Sequence, residues 1–173
     1  MSNFKELLPK INTFIFDVDG VLTDGMVTVF PDGDQIRTMN IKDGYALQYA
    51  VKRGYHIAII SGGSSESVRL RLNGLGITDV FLKTSNKIEI FENYLQTKNI
   101  NKENVLYMGD DIPDYHVMLQ SGVATCPNNA AIEIKNIAHY ISDKDGGKGC
   151  VRDIIEQVLR CQGKWFDEQA HHW

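Results

Sequence analysis

Two aspartates, Asp17 and Asp19, follow an apolar run in the segment TFIFDVDGVLTDG, which occupies positions 13–25. Side chains at positions i and i+2 of an extended chain lie on the same side, so both carboxylates would face one point at the end of a strand. Two carboxylates at such a short distance repel each other unless a positive charge lies between them. The pair therefore predicts a divalent cation site, although Asp-Gly is also a common turn pair and both acids could be turn or capping residues.

A small polar turn follows a second apolar run, HIAII at positions 56–60. Ser61, Gly62 and Gly63 come directly after it and precede a helical segment. A hydroxyl and backbone N–H groups near a helix N-terminus favour a phosphate ligand. The alternative is an ordinary loop in which Ser64 or Ser65 caps the helix.

Charged residues follow two further apolar runs. Lys87 stands at the start of a helical segment, and the motif GDDIPD after NVLYM brings Asp110, Asp111 and Asp114. Taken singly, Lys87 would be a solvated lysine and the three acids would favour the positive end of a helix. Ligands of parallel α/β sheets bind beyond the carboxyl ends of the strands, where all these groups would meet. Together they predict a hard-cation site beside a phosphate site.

Short apolar runs alternate with amphipathic segments along the 173 residues. This alternation predicts an α/β fold of the Rossmann-like kind, in which helices cover both faces of a mostly parallel sheet. Residues 25–40 depart from this strand–helix alternation. They contain two runs of alternating apolar and polar residues around PDGD, which predict a β-hairpin inserted after the first strand. The hairpin is either a surface decoration or an interface, because an isolated hairpin is marginally stable. We interpret residues 1–173 as one domain with a C-terminal tail at 162–173.

The composition limits the classes of partner that the chain is expected to bind. Acidic residues outnumber basic ones by 22 to 18 without any basic block, so neither nucleic acid nor an anionic membrane is expected to bind. No apolar run approaches the ~18 residues of a transmembrane helix, and the N-terminus does not resemble a signal peptide. Cys126, Cys150 and Cys161 form no CxxC pair, which favours reduced thiols in a cytoplasmic protein over a catalytic thiol.

In order, DVDGVLTDG, Ser61, Lys87 and GDDIPD resemble the four motifs of the haloacid dehalogenase-like phosphatases, and the resemblance extends over the full length. Within that superfamily the chain is similar to small members without a lid domain, above all to the family of 3-deoxy-D-manno-octulosonate 8-phosphate phosphatases. This narrower resemblance rests on the strings NIKDGYA, SNK, GGKGCVRD and QGK.

The resemblance implies a two-step phosphomonoester hydrolysis. Asp17 would attack phosphorus and form an aspartyl-phosphate, which splits the reaction into two displacements. Asp19 would protonate the leaving alkoxide and later take a proton from water. Ser61 and Lys87 would hold the phosphate oxygens during the transfer.

The resemblance also implies Mg²⁺ as cofactor. Its ligands would be the Asp17 carboxylate, the Asp19 backbone carbonyl and Asp110, and the ion would screen the repulsion between nucleophile and phosphate. Asp111 and Asp114 would orient water or Lys87 from an outer layer.

A phosphorylated sugar acid is the expected substrate, and arginine and backbone donors are suited to its carboxylate and hydroxyls. Many members of the family carry basic residues where this chain has Gly63 and Gln48, which reduces the positive charge expected at the pocket. Without the resemblance, Arg71 would be a solvated helix charge. The residues expected to bind substrate are Asp19, Asn40, Ile41, Lys42, Asp43, Gly44, Ser61, Gly62, Gly63, Arg71 and Lys87.

Three alternatives stay open at the level of sequence. They are a phosphatase for a related substrate such as a nine-carbon ulosonate phosphate, a phosphotransferase, and a catalytically idle assembly subunit. The hairpin displays the apolar residues Val27, Val29, Ile36 and Met39, and the resemblance implies that four hairpins pair in a homotetramer. A neighbour's hairpin or the tail would then cover each site, unless the tail is disordered.

Overall fold

A six-stranded sheet with the order β5–β4–β1–β6–β7–β8 forms the centre of the protein. The computed structural model describes residues 3–171. The strands in this part of the chain are β1 (Thr13–Phe16), β2 (Thr28–Val29), β3 (Gln35–Ile36), β4 (His56–Ile60), β5 (Asp79–Phe81), β6 (Val105–Met108), β7 (Val123–Cys126) and β8 (Tyr140–Ile141). Every pairing in this sheet is parallel, which confirms the predicted α/β architecture.

Helices connect the successive strands of the six-stranded sheet, as parallel pairing requires. Four 3-10 turns, at Leu8–Lys10, Lys102–Asn104, Ile112–Asp114 and Glu168–His171, supplement them. None of the helices in residues 3–171 combines the length and the apolar character that a membrane span needs. The α-helices are α1 (Phe4–Leu7), α2 (Ile41–Lys52), α3 (Glu66–Gly74), α4 (Lys87–Lys98), α5 (Tyr115–Gln120), α6 (Ile132–Ile137) and α7 (Cys150–Cys161).

The strand β1 lies between β4 and β6 and is buried on both faces. Phe14 and Phe16 belong to the core on one side of the sheet, and Ile15 belongs to the core on the other. Helices α2, α3 and α7 cover the first core, while α4, α5 and α6 cover the second. The continuous apolar run TFIF follows from this position, since a central parallel strand has no solvent-facing side.

The predicted hairpin is present as the antiparallel pair β2–β3, although each strand has only two residues. The backbone N–H of Phe30 donates to the carbonyl of Asp34 over 2.8 Å and closes the turn. Val29 is 63% exposed and Ile36 51% exposed, so the ribbon displays apolar surface. Met39 behaves differently, because it packs against the core of its own subunit.

The described part of the tail, residues 162–171, folds back on its own chain. The indole of Trp165 lies edge-on to the rings of Tyr45 and Tyr49 on α2. Asp167 accepts a hydrogen bond from the Tyr49 hydroxyl over 2.9 Å and pairs with Arg53 over 2.8 Å. The described part of the tail is therefore ordered against α2 of its own chain. The last two positions of the predicted tail, 172 and 173, lie outside the described residues.

Candidate active site

Asp17 stands at the carboxyl end of the central strand and is 7% exposed. Its backbone N–H donates to the carbonyl of Met108 over 3.1 Å, which extends the β1–β6 pairing by one residue. The carboxylate atom Oδ1 accepts a hydrogen bond from the N–H of Val18 over 2.7 Å, and Oδ2 lies 3.0 Å from Nζ of Lys87. The carboxylate is thereby held in one orientation at the floor of a cavity.

The chain turns sharply after Asp17 because Gly20 adopts φ +84°, a left-handed conformation that favours glycine. A Cβ atom at this position would also overlap the carboxylate of Asp110. The hydroxyl of Thr23 accepts hydrogen bonds from the N–H groups of Gly20 and Gly25, over 3.3 and 3.2 Å. The glycine therefore lets the turn and the acid at the end of β6 approach each other.

Lys87 is buried between two carboxylates, at 3.0 Å from Asp17 and 2.7 Å from Oδ1 of Asp114. Burial disfavours its ammonium, but the charges of Asp17 and Asp114 outweigh that effect and raise the pKa of Lys87. The hydroxyl of Tyr107 also donates to Oδ1 of Asp114 over 2.6 Å, and the N–H of Asp110 donates to Oδ2 over 3.2 Å. Both oxygens of Asp114 are thus occupied in positioning its neighbours.

The acidic cluster has the donor set of a hard-cation site. Carboxylate oxygens of Asp17, Asp110 and Asp114 lie within 4.8 Å of one another. Oδ1 of Asp110 is buried and has no hydrogen-bond partner among the described residues, which is costly unless a ligand meets it. Burial and the neighbouring negative charges raise the pKa of Asp17 and of Asp110 to about 7. Asp17 and Asp110 therefore fit an oxygen-ligated divalent cation such as Mg²⁺.

Ser61 follows β4 and is held by backbone hydrogen bonds. Its N–H donates to the carbonyl of Phe81 over 2.9 Å, and its carbonyl accepts from the N–H of Thr84 over 3.1 Å. The N–H of Gly63 donates to the Ser61 hydroxyl over 3.1 Å. Helix α3 begins only at Glu66, so the turn and not the helix end borders the cavity, and Lys87 at the start of α4 supplies the positive charge.

These groups share one cavity of about 670 Å³. Asp111 and Asp114 line it as well, on the side formed by the turn after β6. Asp111 uses Oδ1 to accept a hydrogen bond from the N–H of Ile112 over 2.8 Å. The predicted residues that the structure brings together here are Asp17, Asp19, Ser61, Gly62, Gly63, Lys87, Asp110, Asp111 and Asp114.

The other expected substrate contacts do not line this cavity within one chain. Asn40 caps α2 by accepting from the N–H of Lys42 over 2.8 Å, and Asp43 accepts from the N–H of Arg152 over 2.8 Å. Gly44 lies against the guanidinium of Arg71, which borders a separate groove. The residues concerned are Asn40, Ile41, Lys42, Asp43, Gly44 and Arg71.

Arg37 follows β3, the second strand of the hairpin, and contacts a residue of the site. The sequence alone did not predict this role. Its Nε lies 2.6 Å from Oδ1 of Asp19 and its Nη2 lies 3.0 Å from Oδ2. The contact joins residues 18 positions apart across an insertion, so no local pattern predicts it. Tyr107 was likewise indistinguishable from other apolar residues of its strand.

The sequence model of the haloacid dehalogenase-like hydrolases matches residues 72–154. The 3-deoxy-D-manno-octulosonate 8-phosphate phosphatase KdsC of Escherichia coli K12 is 36% identical over 155 residues, which cover 90% of this chain and 82% of that protein. The crystal structure of 3-deoxy-D-manno-octulosonate 8-phosphate phosphatase from Moraxella catarrhalis, in complex with magnesium, phosphate and KDO, is 29% identical with a TM-score of 0.91 and covers 95% of each chain. The cobalt-bound phosphatase YrbI from Haemophilus influenzae is 29% identical with a TM-score of 0.90, covering 95% of this chain and 94% of that one.

The chain belongs to the haloacid dehalogenase-like hydrolases, as the relatives show over nine-tenths of its length. Within that class it is a phosphatase, a phosphoric monoester hydrolase related to the 3-deoxy-D-manno-octulosonate 8-phosphate phosphatases. Two of its solved relatives hold a divalent metal ion, magnesium in one and cobalt in the other. The acidic cluster at the end of β1 and β6 offers a site for such an ion.

Proposed function

We propose that this enzyme hydrolyses 3-deoxy-D-manno-octulosonate 8-phosphate with Mg²⁺ as cofactor, in the biosynthesis of the lipopolysaccharide sugar. The observation that carries the proposal is the cluster of Asp17, Lys87 and Asp110 at the carboxyl end of the sheet, in a chain whose relatives act on this ester. A relative that holds magnesium, phosphate and KDO together supports the same substrate and metal.

Asp17 is the proposed nucleophile. Hydrogen bonding by the Val18 N–H and the contact with Lys87 fix its carboxylate, so little ordering remains to be done when the substrate binds. One of its oxygens bonds to phosphorus while the bond from phosphorus to the sugar oxygen breaks. Water then attacks the aspartyl-phosphate, which releases inorganic phosphate and regenerates the carboxylate.

Asp17, Asp110 and the backbone carbonyl of Asp19 are the proposed ligands of Mg²⁺. The unpartnered Oδ1 of Asp110 supports this assignment. When bound, the ion supplies positive charge that lets an anionic nucleophile approach an anionic phosphate. Lys87 contributes a second positive charge. Asp114 also pairs with the Lys87 ammonium and so holds it in contact with Asp17.

Ser61 and Lys87 are proposed to hold the phosphate oxygens as negative charge moves during the transfer. Ser61 reaches the cavity from the end of β4 and Lys87 from the start of α4, and Gly62 and Gly63 line the cavity beside Ser61. Asp19 is the proposed acid and base. It gives a proton to the leaving sugar oxygen in the first step and takes one from the attacking water in the second.

We also propose that a second subunit completes the substrate site. Asn40, Ile41 and Lys42 line a second cavity and Arg71 lines a third, so these residues would contact this substrate if assembly brought them to a neighbouring site. The apolar surface of the hairpin, with Val27 39% exposed and Val29 63% exposed, supports a homotetramer built on hairpin pairing. Three cysteines without a disulfide are consistent with the proposed cytoplasmic location.

A comparison of kcat/KM over a panel of phosphate esters tests the proposal. The panel contains 3-deoxy-D-manno-octulosonate 8-phosphate, a nine-carbon ulosonate 9-phosphate and neutral sugar phosphates, each assayed with Mg²⁺. We expect the eight-carbon sugar acid to give the highest kcat/KM. A higher value for the nine-carbon acid would transfer the function to that substrate, and the absence of any hydrolysis would favour an idle assembly subunit.

A further inference from the structure

The segment of residues 145–150, the supporting loop, leads into α7 and packs against the turn that follows Asp17. The N–H of Gly147 donates to the carbonyl of Val21 over 2.9 Å. The thiol of Cys150, the first residue of α7, donates to the same carbonyl over 3.3 Å. Cys150 and Val21 are 129 positions apart in the chain. Two hydrogen bonds from a distant segment therefore hold the turn at the candidate active site.

Gly146 brings the supporting loop against the backbone of this turn. It is buried, and a Cβ atom at this position would overlap the carbonyl group of Gly20 and lie 2.9 Å from the carbonyl oxygen of Thr23. A glycine is therefore needed for the two backbones to approach this closely. Gly20 in turn allows the close approach of the Asp110 carboxylate. The turn thus has both the supporting loop and the acid after β6 as immediate neighbours.

The loop after β7 connects the supporting loop with Asp110. Asn129 in this loop accepts a hydrogen bond from the N–H of Gly146 through Oδ1, over 2.9 Å. Two residues later, the N–H of Ala131 donates to the backbone carbonyl of Asp110 over 2.8 Å. Hydrogen bonds therefore link Asp110, through the loop after β7 and the supporting loop, to the turn that follows Asp17.

The Cys150 thiol is a buried group that the proposed mechanism does not use. It has no exposed surface, and burial together with the nearby negative charge of Asp43 raises the pKa of this thiol. A thiol in this environment stays protonated and is inert as a nucleophile, but its S–H is a weak hydrogen-bond donor. The contact with the Val21 carbonyl gives the thiol a role at the active-site turn.

We propose that the supporting loop fixes the position of the turn after Asp17 relative to Asp110, and that Gly146 and Cys150 are positioning residues for phosphoryl transfer. Neither residue lines the candidate active-site cavity, so each acts through the backbone of the turn. The turn begins at Asp17 and includes Asp19, which are two of the three proposed Mg²⁺ ligands, and Asp110 is the third. This inference rests on the proposed function, because it assigns the loop to the same metal and phosphate site.

Two consequences distinguish a positioning role from a general contribution to stability. A shift of the turn by about 1 Å would misplace the proposed nucleophile, and a misplacement of that size costs about a hundredfold in rate. The same shift would move two proposed metal ligands away from the third and weaken the binding of Mg²⁺, which is sensitive to ligand placement. Ser61 and Lys87 reach the cavity from β4 and α4, so KM should change less than kcat.

The test compares three variants with matched controls. Gly146→Ala introduces the overlap with Gly20, whereas Gly74→Ala on α3 adds the same methyl group where nothing lies within 4 Å. Cys150→Ala removes the S–H donor, and Cys150→Ser replaces it with a hydroxyl donor. Val158→Ala, two turns further along α7, removes buried apolar volume from the same core and controls for lost stability.

Three properties are measured for each protein. They are kcat and KM for 3-deoxy-D-manno-octulosonate 8-phosphate with saturating Mg²⁺, the Kd of Mg²⁺ from isothermal titration calorimetry without substrate, and the Tm. We expect Gly146→Ala to lower kcat about a hundredfold and to weaken Mg²⁺ binding about threefold or more, with a smaller change in KM. Cys150→Ala should lower kcat about fivefold, and Cys150→Ser should restore most of it because a donor is present again. Gly74→Ala and Val158→Ala should keep the wild-type kcat and Kd, although Val158→Ala should lower the Tm.

A folded Gly146→Ala variant with wild-type kcat and Mg²⁺ affinity would overturn the proposal. An equal loss of kcat in Val158→Ala and Gly146→Ala would overturn it as well, because a general loss of stability would then explain both. If Gly146→Ala does not fold, the Cys150 pair decides, and equal kcat values for Cys150→Ala and Cys150→Ser would count against the loop. A wild type that does not hydrolyse the sugar-acid phosphate contradicts the proposed function, and the Kd values for Mg²⁺ then decide the role of the supporting loop by themselves.

Discussion

The Nζ atom of Lys87 lies 3.0 Å from Oδ2 of Asp17, and both side chains are buried at the carboxyl end of the sheet. The two residues are 70 positions apart in the chain and come from the ends of different elements, β1 and α4. Burial makes each charge depend on the other, because removing one partner leaves an uncompensated charge away from water. The proposed nucleophile and the proposed phosphate-binding lysine thus form one electrostatic unit.

Asp17→Asn should reduce kcat by several orders of magnitude, because an amide of nearly the same shape cannot form the aspartyl-phosphate. Thermal unfolding should show that the variant remains folded. Asp143→Asn is the matched control, since Asp143 is an exposed aspartate that pairs with Lys144 on the surface. Near-normal turnover of a clean Asp17→Asn preparation would refute covalent catalysis at this position.

Removal of divalent metal should abolish turnover reversibly. The unpartnered Oδ1 of Asp110 and the clustered carboxylates motivate this expectation. Exhaustive treatment with EDTA should abolish phosphatase activity, and added Mg²⁺ should restore that activity. Full activity after chelation, with metal content checked by elemental analysis, would contradict the assigned site.

The metal-free protein should lose stability as the pH rises. The folded-state pKa of Asp17 and of Asp110 is about 7, against an ordinary value of 3.8, so the folded state binds more protons between these two values. The free energy of unfolding should therefore decrease from about pH 4 to pH 7 and level off above it. Thermal unfolding in EDTA should show a Tm several degrees lower at pH 7.5 than at pH 5.

The pH series has its own control in Asp110→Asn, which removes one of the two titrating groups and should flatten the decline. Added Mg²⁺ should raise the Tm most at the higher pH, where the carboxylates are ionised. A metal-free wild type whose Tm increases between pH 5 and pH 7.5 would show that other groups dominate the proton linkage.

Gly20→Ala should abolish activity and destabilise the protein, because the added Cβ atom would overlap the Asp110 carboxylate. Gly54→Ala separates this clash from backbone strain. Gly54 has φ +83°, close to the +84° of Gly20, but nothing lies within 4 Å of its Cβ position. Gly54→Ala should therefore lower the free energy of unfolding by about 1 kcal/mol and leave kcat unchanged. Measured kcat values that fall equally in both variants would argue against a special role for the contact between Gly20 and Asp110.

Replacing Val27 and Val29 together by lysine should dissociate the proposed tetramer and raise KM, since charged side chains would disrupt the pairing of apolar hairpins. Leu119→Lys is the control, because Leu119 on α5 is also exposed, at 55%, but lies outside the hairpin. Light scattering gives the mass of each variant in solution. A wild-type monomer at micromolar concentration with full activity would contradict the assembly.

The sequence by itself determined the fold class, the hairpin and the residues that meet at the end of the sheet. Strand periodicity and the placement of acids directly after apolar runs are local properties, and parallel pairing brings every such strand end to the same edge. Asp17, Ser61, Lys87 and Asp110 line one cavity for this reason.

Only the tertiary structure decided which distant groups meet these residues. Arg37 reaches Asp19 because the hairpin folds over the turn after β1, and Trp165 packs on α2 because the chain reverses after α7. The segment Asn40–Gly44 lies outside the Asp17 cavity, where Asn40 caps the first turn of α2 and Asp43 accepts a hydrogen bond from the N–H of Arg152 on α7. Such contacts depend on how loops, helices and strands pack in three dimensions, and the spacing of residues along the chain does not predict that packing.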